Sequence, residues 1–279
     1  MSSARTASFR ARYGDWAVVT GASDGIGRAF AESVAARGLN LLLVARRGDV
    51  MDTLAGELSA KHAIQCDVVA TDLATDSGLA CVQAAGADRD IGLLVSSAGF
   101  GTSGEFVQSS LDVELDMLAV NCRATTTLAH HFGRRFAAQR RGGMVLMSSL
   151  LAFQGVPRAA HYAATKAYVQ VLAEGLRHEL RNCGVDVIAA APGPVATGFA
   201  ERANMQMGLA ARPREVAEIT LHALGRRTTV RPGWLAKLLE ASLAPLPRWG
   251  RTRMLKRVMG GMTAHQRSDP TRSSERAAG

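Results

Sequence analysis

The sequence predicts a single α/β domain in which helices cover both faces of a parallel sheet, the doubly wound arrangement. Two observations predict it. Apolar runs of strand length alternate with longer helical stretches, and each run is apolar throughout, as in strands that are buried on both faces. Six or more such units follow one another, with no linker before about residue 226.

The elements can be assigned in chain order from their composition. The first strand is rich in β-branched residues and ends at Gly21, and the later strands are similar short apolar runs bounded by polar or glycine residues. The predicted strands are Trp16–Thr20, Leu39–Ala45, Ile64–Val69, Ile91–Ser96, Met144–Ser148 and Val185–Ala191. Longer stretches of helical periodicity predict helices over Arg28–Arg37, Asp49–Lys61, Ser77–Ala87, a long region after Ser96, Ala163–Leu180 and Arg214–Leu224.

The composition divides the chain into three parts. With 47% hydrophobic and 20% charged residues in 279, the bulk of the chain is neither disordered nor fibrous. Residues 14–225 form the predicted domain, and residues 226–262 read as a basic extension of two short amphipathic helices separated by Pro245 and Pro247. From Thr263 to residue 279 the chain is polar, which predicts disorder. The Arg- and Ser-rich segment Ser2–Arg12 reads as a frayed arm in preference to a transit peptide.

Charge and cysteine content exclude several classes of function. The net charge is +9, but residues 226–279 hold 12 of the 33 basic and 3 of the 24 acidic side chains, so the predicted domain is balanced. A basic surface for nucleic acid is therefore not expected on the domain. The four cysteines, Cys66, Cys81, Cys122 and Cys183, are far apart and predict reduced core thiols of a cytoplasmic protein, with no metal site. No apolar run is long enough to span a bilayer.

A glycine-rich turn follows the first strand directly and opens a helix. Its glycines are Gly21, Gly25 and Gly27, spaced G-x3-G-x-G, with Ser23, Asp24 and Ile26 between them. Glycines at a strand-to-helix turn let the backbone approach a pyrophosphate, and the N–H groups of the helix beginning near Gly25 would face the phosphates. The turn therefore predicts a dinucleotide site.

The end of the second strand bears on the choice between NAD and NADP. An acidic residue there would bind the ribose hydroxyls and repel a 2′-phosphate, but this chain has Arg46 and Arg47. Two guanidiniums suit a phosphate dianion, so the sequence predicts NADP(H).

Tyr162 and Lys166 are four residues apart on a predicted helix, so their side chains lie on one face, one turn apart. A free tyrosine has a pKa of about 10, too high for easy proton exchange at neutral pH. An adjacent ammonium would favour the phenolate and lower that pKa. The pair is therefore the predicted proton donor and its positioning cation.

Together these motifs resemble the short-chain dehydrogenase/reductase family, with its Rossmann fold, over roughly residues 14–225, and more closely the branch of 3-ketoacyl and hydroxysteroid reductases. The resemblance implies roles for further residues. Ser149 would bond the substrate oxygen and Asn121 would hold a water joined to Lys166, which itself would bond the nicotinamide ribose. The cofactor contacts implied are Asp72, Leu73, Ser97 (where the family usually has asparagine), Ala98, Gly99, Pro192, Gly193, Val195 and Thr197.

The function predicted is NADP(H)-dependent interconversion of a carbonyl and a secondary alcohol. By family position the pocket residues are Phe100, Leu150, Leu151, Phe153, His161, Phe199 and residues 205–209. They are mainly apolar and include no Arg or Lys, which favours a small lipophilic substrate. The alternative from another class is a redox-sensing module that binds NADP without turnover; epimerases and dehydratases of the same fold usually differ in the glycine loop.

Three interpretations of the basic extension remain open: a membrane-surface helix, a lid or subunit contact, and a solvated appendage. We expect Trp234–Leu243 to pack on the protein because Pro232 and Gly233 turn the chain back. Residues 248–262 alternate arginines with Trp249, Met254, Leu255, Val258 and Met259, which favours peripheral membrane contact. The family resemblance also implies a homodimer or homotetramer.

Overall fold

Seven parallel strands form one sheet in the order β3-β2-β1-β4-β5-β6-β7. The computed structural model describes residues 3–206, 209–243 and 245–267, with the backbone alone at 3–6, 234, 235, 239, 240 and 267. The strands are β1 Trp16–Thr20, β2 Asn40–Ala45, β3 Cys66–Ala70, β4 Ile91–Ser96, β5 Gly142–Met147, β6 Val185–Ala190 and β7 Thr229–Val230. This confirms the predicted fold class.

Helices connect the strands and cover both faces of the sheet. They are α1 Ser3–Tyr13, α2 Gly25–Ala35, α3 Gly48–His62, α4 Asp76–Ala85, α5 Leu111–Leu118, α6 Thr125–Gln139, α7 Ala160–Leu180, α8 Phe199–Arg202, α9 Pro213–Ala223, α10 Trp234–Leu243 and α11 Arg248–Met262. A π-helical segment, Ala119–Ala124, joins α5 to α6, and short 3-10 turns cover Phe106–Gln108, Leu150–Phe153, Arg181–Cys183 and Ala264–Arg267.

The core consists of two layers, one on each face of the sheet. Val19 packs into the layer that holds Phe30 and Leu221, whereas its neighbour Val18 packs into the layer that holds Phe132. Successive side chains of a strand point to opposite faces, so a strand covered on both sides must be apolar at every position. The uninterrupted apolar runs of the sequence follow from this geometry.

The connection between β3 and β4 carries the chain across the sheet, because β4 pairs with β1 on the side opposite β2. The chain therefore leaves β1 and β4 in opposite directions, which opens a crevice at their carboxyl ends. The loops after β1, β2, β4, β5 and β6 all reach that edge of the sheet. This edge is the place where the candidate site forms.

The N-terminal segment is helical, so the frayed arm predicted for Ser2–Arg12 is wrong for the residues described. Tyr13 Oη donates to Asp186 Oδ2 at 2.9 Å, and Arg12 Nε donates to the same oxygen at 2.6 Å. Phe9 packs against the core. These contacts attach α1 to the edge of the sheet opposite the crevice.

The sheet and the ordered chain extend further than the sequence predicts. β7 lies beyond the boundary expected at residue 225, because two residues of this strand pair with Ala189 and Ala190 of β6. Disorder from Thr263 is wrong for residues 263–267: Thr263 is fully buried and a 3-10 turn follows it. Residues 268–279, also predicted to be disordered, lie outside the described residues.

The two predicted helices of the extension are present as α10 and α11, and both contact the domain. Ala236 and Leu243 of α10 are buried, which confirms its packing on the protein. In α11, Leu255 and Met259 are buried as well, so two residues of the apolar stripe expected on lipid contact protein instead. Membrane contact of α11 stays a prediction, and among the described residues no helix is long and apolar enough to cross a bilayer.

The cysteines are unpaired in the structure, and three of them are buried or partly buried. Cys81 is exposed on α4, so the expectation of core thiols is wrong at that position.

Candidate active site

A cavity of about 710 Å³ lies at the carboxyl edge of β1 and β4. Every residue predicted to bind the cofactor lines it, together with Ser149, Tyr162 and Lys166. These residues come from the segments that follow six different strands, β1 to β6, spread over more than 170 positions of the chain. Among the residues predicted for catalysis or cofactor binding, Asn121 is the one that does not line the cavity.

The glycine loop forms the floor of the cavity at the start of α2. A Cβ atom on Gly27 would overlap the carbonyl oxygen of Gly21, so the first turn of α2 lies directly on the loop that precedes it. Asp24 caps the helix by accepting a hydrogen bond from the Gly25 N–H at 2.7 Å. One N–H group expected to face the phosphates is thus bonded to the protein's own carboxylate.

Thr20 joins the ends of the two strands that border the crevice. Its buried Oγ1 accepts hydrogen bonds from the backbone N–H groups of Ser97 and Ala98, both at 3.0 Å. Position 97 contributes only its backbone N–H to these bonds, so they form equally well with serine or asparagine there. The Ser-for-Asn difference therefore leaves this junction intact.

Arg46 and Arg47 both line the cavity at the end of β2. Arg47 Nη2 donates to Ser23 Oγ at 3.2 Å, which connects it to the glycine loop. Within the described part of the chain neither arginine forms an ion pair with a carboxylate, so both remain available to an anion. Asp72 lies beside them, and its Oδ1 accepts the Ala74 N–H at 2.9 Å. The glycine floor, the helix start and the two arginines fit a dinucleotide.

Tyr162 and Lys166 lie one turn apart on α7, as the spacing predicts, with the lysine Nζ 5.9 Å from the centre of the tyrosine ring. Lys166 Nζ donates to the carbonyl oxygen of Met147 at 2.9 Å, which anchors it to the end of β5. Ser149 lies just beyond that strand, where its Oγ accepts the Leu151 N–H at 3.2 Å. The preceding Ser148 Oγ donates to the Lys166 carbonyl oxygen at 3.1 Å, a bond within the fold.

Burial controls the protonation of this pair. It raises the pKa of Tyr162 to about 12, and the hydrogen bond with Ser149 partly offsets that rise. It lowers the pKa of Lys166 to about 8. The prediction that the ammonium lowers the tyrosine pKa is wrong for the protein alone, because the removal of water outweighs the attraction of a cation 5.9 Å from the ring.

Asn121 lies behind the cavity wall in the π-helical segment between α5 and α6. Its Oδ1 accepts the Phe100 N–H at 3.1 Å, while its Nδ2 donates to the Phe100 carbonyl oxygen at 2.9 Å and to Thr165 Oγ1 at 3.0 Å. A Cβ on Gly99 would come within 2.8 Å of Asn121 Oδ1 and 3.2 Å of Lys166 Nζ. Asn121 therefore holds the loop after β4 against α7, next to the lysine.

The loop after β6 closes the cavity opposite the catalytic helix. The Pro192 carbonyl oxygen accepts the Leu150 N–H at 2.9 Å, and Val195 is buried. Thr197 lies against the glycine loop and accepts the Phe199 N–H at 3.2 Å. The centre of the Phe199 ring is 5.3 Å from that of Tyr162, so this loop also places an apolar side chain beside the tyrosine.

The predicted pocket residues separate into two groups. Phe100, Leu150, Leu151, Phe199 and Met205 line the cavity. His161 instead bonds the buried carboxylate of Glu114, with 2.6 Å from Nδ1 to Oε2, and Phe153 lies under the Arg231 guanidinium. Gln206 and Leu209 do not line this cavity, and Met207 and Gly208 lie outside the described residues.

The wall has two further parts: one that the sequence did not predict, and one that the interpretation of the extension as a lid left open. Arg202 lines the cavity and stacks on Phe100, with its Cζ 4.1 Å from the ring centre, although no Arg or Lys was expected there. The extension supplies Leu243, Leu255, Val258, Met259 and Met262. The apolar spacing of residues 255, 258, 259 and 262 was visible in the sequence, but nothing in it showed which surface this stripe covers.

The chain matches the family model for short chain dehydrogenases over residues 15–208, which include all of α7 with Tyr162 and Lys166. It belongs to the short-chain dehydrogenase family. The 7beta-hydroxysteroid dehydrogenase of Collinsella aerofaciens is 29% identical over 233 residues, covering 81% of this chain and 89% of that protein. The human protein named inactive hydroxysteroid dehydrogenase-like protein 1 is 29% identical over 247 residues, and the match covers 85% of this chain and 74% of that protein.

Solved structures of short-chain dehydrogenases share the fold over most of the chain. One structure, from a study of the stereoselectivity of 7beta-hydroxysteroid dehydrogenase, has a TM-score of 0.81 and 29% sequence identity, and the match covers 88% of this chain and 98% of that one. A short-chain dehydrogenase from Sphingobium yanoikuyae in complex with NADPH has a TM-score of 0.75 and 29% identity, and the match covers 84% of this chain and 96% of that one. The bulky-bulky ketone specific alcohol dehydrogenase of Comamonas testosteroni has a TM-score of 0.72 and 31% identity, and the match covers 85% of this chain and 96% of that one.

This short-chain dehydrogenase places no cluster of metal-binding side chains in the described part of its fold. Its site consists of a phenol, a hydroxyl and an amine beside a dinucleotide cradle, which is an arrangement for proton transfer coupled to a nicotinamide cofactor.

The lowered pKa of Lys166 predicts a pH-dependent stability. Because folding lowers the pKa of this base from 10.5 to about 8, the penalty for burying its charge is present at neutral pH and disappears as pH rises toward 10.5. We expect the Lys166→Met variant to remove this contribution. Between pH 7 and 9.5, the free energy of unfolding of the wild type should rise by about 2 kcal/mol relative to that variant. Urea unfolding at both pH values measures the difference, and equal pH dependence of the two proteins would contradict a buried amine.

Proposed function

We propose that this protein is an NADP(H)-dependent oxidoreductase that interconverts a lipophilic ketone and a secondary alcohol. One observation carries the proposal: Ser149, Tyr162 and Lys166 line the same cavity as a glycine-loop cradle and two arginines that have no carboxylate partner among the described residues. A cofactor cradle and a proton donor in one cavity are what hydride transfer to a carbonyl requires.

Bound NADPH supplies the hydride that such a reaction delivers to the carbonyl carbon. Tyr162 Oη donates the proton that the developing alkoxide requires, and in the reverse direction it accepts that proton. Ser149 Oγ bonds the same oxygen and stabilises its charge. Lys166 is held by the Met147 carbonyl oxygen one turn of α7 from Tyr162, where its amine would bond the nicotinamide ribose.

The raised pKa of Tyr162 makes it a proton donor that keeps its proton at neutral pH. This suits the reductive direction, in which the substrate oxygen gains basicity as the hydride arrives. Phe100 and Phe199 exclude water on either side of the phenol, and both pack in one apolar cluster with it. The dry surroundings strengthen each hydrogen bond to the reacting oxygen.

The walls of the cavity support a lipophilic substrate. Most side chains around Tyr162 on the substrate side are aliphatic, aromatic or methionine. The printed names of the relatives and structural neighbours point the same way, since they describe hydroxysteroid dehydrogenases and a dehydrogenase for bulky ketones. Arg202 adds a single cationic group at the border of the cofactor half.

The human relative named inactive favours a second candidate, a module that binds NADP without turnover. A binding module has no use for a proton donor, whereas this chain retains Ser149, Tyr162 and Lys166 in one cavity. Oxidation of NADPH with a panel of ketones, followed at the nicotinamide absorbance, distinguishes the two. Binding of NADPH without oxidation by any ketone would favour the module.

Tyr162→Phe tests the proton donor. The substitution removes one hydroxyl and keeps the ring, so we expect turnover to fall by about 10³-fold or more while NADPH affinity changes by less than about twofold. Steady-state rates and quenching of NADPH fluorescence measure the two quantities. Tyr168→Phe, an exposed tyrosine on the same helix, serves as the matched control. Activity above a tenth of the wild-type value would refute the assignment.

Arg46→Asp tests the cofactor preference. A carboxylate at this position accepts ribose hydroxyls and repels a 2′-phosphate, so the ratio of kcat/KM for NADPH to that for NADH should fall by about 100-fold. Arg134→Asp on the exposed surface of α6 makes the same change of charge away from the cavity. Wild-type preference for NADH would overturn the NADP proposal outright.

We also propose that the protein forms a homodimer or homotetramer through α5 and α7. Both helices expose large apolar side chains, among them Leu111, Leu115 and Val171, each with more than half of its surface accessible. A surface of this kind marks an interface more often than free solvent. Light scattering at micromolar concentration should give a multiple of the 29.5 kDa chain mass, and Val171→Arg should reduce it. A monomeric wild type would contradict this assembly.

A further inference from the structure

The C-terminal part of the chain forms one side of the substrate cavity. Helix α11 and the turn that follows it, residues 248–266, are here called the C-terminal wall. Its residues Leu255, Val258, Met259 and Met262 line the same cavity as Tyr162 and Ser149. The family match ends at residue 208, so this wall lies outside the residues that the family model matches.

Apolar packing seats the wall on the domain. Leu255 and Met259 are buried in a cluster with Val156, Ala159 and Met205, which belong to the loops on either side of the cavity mouth. On the opposite side of α11, Arg253, Lys256 and Arg257 are exposed. The helix therefore has one face toward the cavity and a basic face toward solvent.

Gln266 then joins the end of the wall to three separate loops. Its Oε1 accepts a hydrogen bond from Arg158 Nη2 at 2.8 Å. Its Nε2 donates to Ser103 Oγ at 2.8 Å and to the Asn204 carbonyl oxygen at 2.7 Å. All the hydrogen-bonding capacity of this amide except one acceptor lone pair is used in these three bonds.

Three further bonds fix the same corner. Arg158 Nε donates to Thr263 Oγ1 at 2.6 Å, and the buried threonine hydroxyl donates in turn to the Met259 carbonyl oxygen at 2.7 Å. The Gln206 N–H donates to the Met262 carbonyl oxygen at 2.9 Å. The wall is therefore held by directional bonds at its end as well as by packing along its length.

The three loops that Gln266 joins each carry another part of the cavity. The Ser103 loop follows Phe100, the Arg158 loop precedes the helix of Tyr162, and Asn204 is adjacent to Met205. None of the bonds of Gln266 involves a residue assigned to proton transfer or to the cofactor. The position of the wall can thus be changed without altering the reacting groups.

We propose that the C-terminal wall selects the substrate by size, with Met259 and Met262 setting the limit of the cavity and Gln266 holding the wall in place. The class of substrate that fits is a bulky, largely apolar ketone or secondary alcohol, whose far end contacts the methionines while its oxygen reaches Tyr162. Methionine side chains adapt to irregular apolar shapes, so they suit ring systems of several outlines. This inference rests on the proposed reductase function.

The experiment uses the full-length protein and a series of cyclic ketones with one, two and four fused rings. For each ketone, kcat and KM are measured with NADPH, and the dissociation constant is measured by calorimetry on the protein saturated with NADP⁺. The variants are Met262→Trp, which adds bulk to a half-buried wall residue, and Gln266→Leu, which removes the three bonds at similar volume. Gln139→Leu, at an exposed position at the end of α6, is the control.

For Met262→Trp we expect kcat/KM for the four-ring ketone to fall by about tenfold or more relative to the one-ring ketone, because the pocket becomes shorter. For Gln266→Leu we expect KM and the dissociation constant of the four-ring ketone to rise about tenfold with kcat nearly constant, since a loosened wall loses binding but not chemistry. The affinity for NADPH should stay unchanged in both variants.

Unchanged selectivity in both variants would overturn the proposal, as would equal losses for ketones of every size. The failure of the proposed function has a different signature. If none of the ketones supports oxidation of NADPH by the wild type, the calorimetric series still measures size selection at the wall. Failure of all the ketones to bind would refute the wall as a substrate contact.

Discussion

The hydroxyl of Thr20 joins the two strand ends on which the whole site is built. It accepts the N–H groups of Ser97 and Ala98 from the loop after β4, while its own strand leads into the glycine loop. In a doubly wound sheet the crevice opens where the strand order reverses, and an open crevice leaves unpaired backbone donors. A single buried oxygen satisfies two of them and fixes the floor of the cavity. The glycine loop and the loop that carries Gly99 both begin at this junction, whereas Lys166 is held from α7 by the Met147 carbonyl oxygen.

Burial shifts the pKa values of Tyr162 and Lys166 in opposite directions, and the two shifts together set the protonation of the site at neutral pH. The same removal of water raises the pKa of Tyr162 and lowers that of Lys166, because it disfavours the charged form of each. The phenol therefore holds its proton, and the amine is fixed by a carbonyl oxygen and not by a carboxylate. In the proposed function, such a site keeps a proton donor ready at neutral pH.

In the proposed function, the extension limits the size of the substrate and supplies none of the reacting groups. The residues proposed for catalysis and cofactor binding lie between β1 and α8, in loops and on α7, whereas much of the far wall of the cavity comes from α10 and α11. Gln266 contacts the loops of the site through Arg158, Ser103 and Asn204, so substitutions there should alter selectivity more than the reaction. The basic face of α11 remains on the outside, where its charges are solvated.

The sequence by itself determined the fold class, the strand-to-helix turn at Gly21–Gly27 and the pairing of Tyr162 with Lys166, because each depends on neighbours within a few positions of the chain. The full apolar strands, the glycine spacing and the four-residue step on a helix are local patterns with direct geometric meaning. Only the tertiary structure decided the helical state of α1, the addition of β7, the contacts of His161, the presence of Arg202 in the cavity and the surface covered by α11. The residues that decide these features lie far away in the chain. Asp186 binds α1, and Glu114 binds His161. Arg158, Ser103 and Asn204 bind Gln266, which follows α11. The pKa of Tyr162 belongs to the same group, because the amount of water removed from it depends on walls that come from the whole length of the fold.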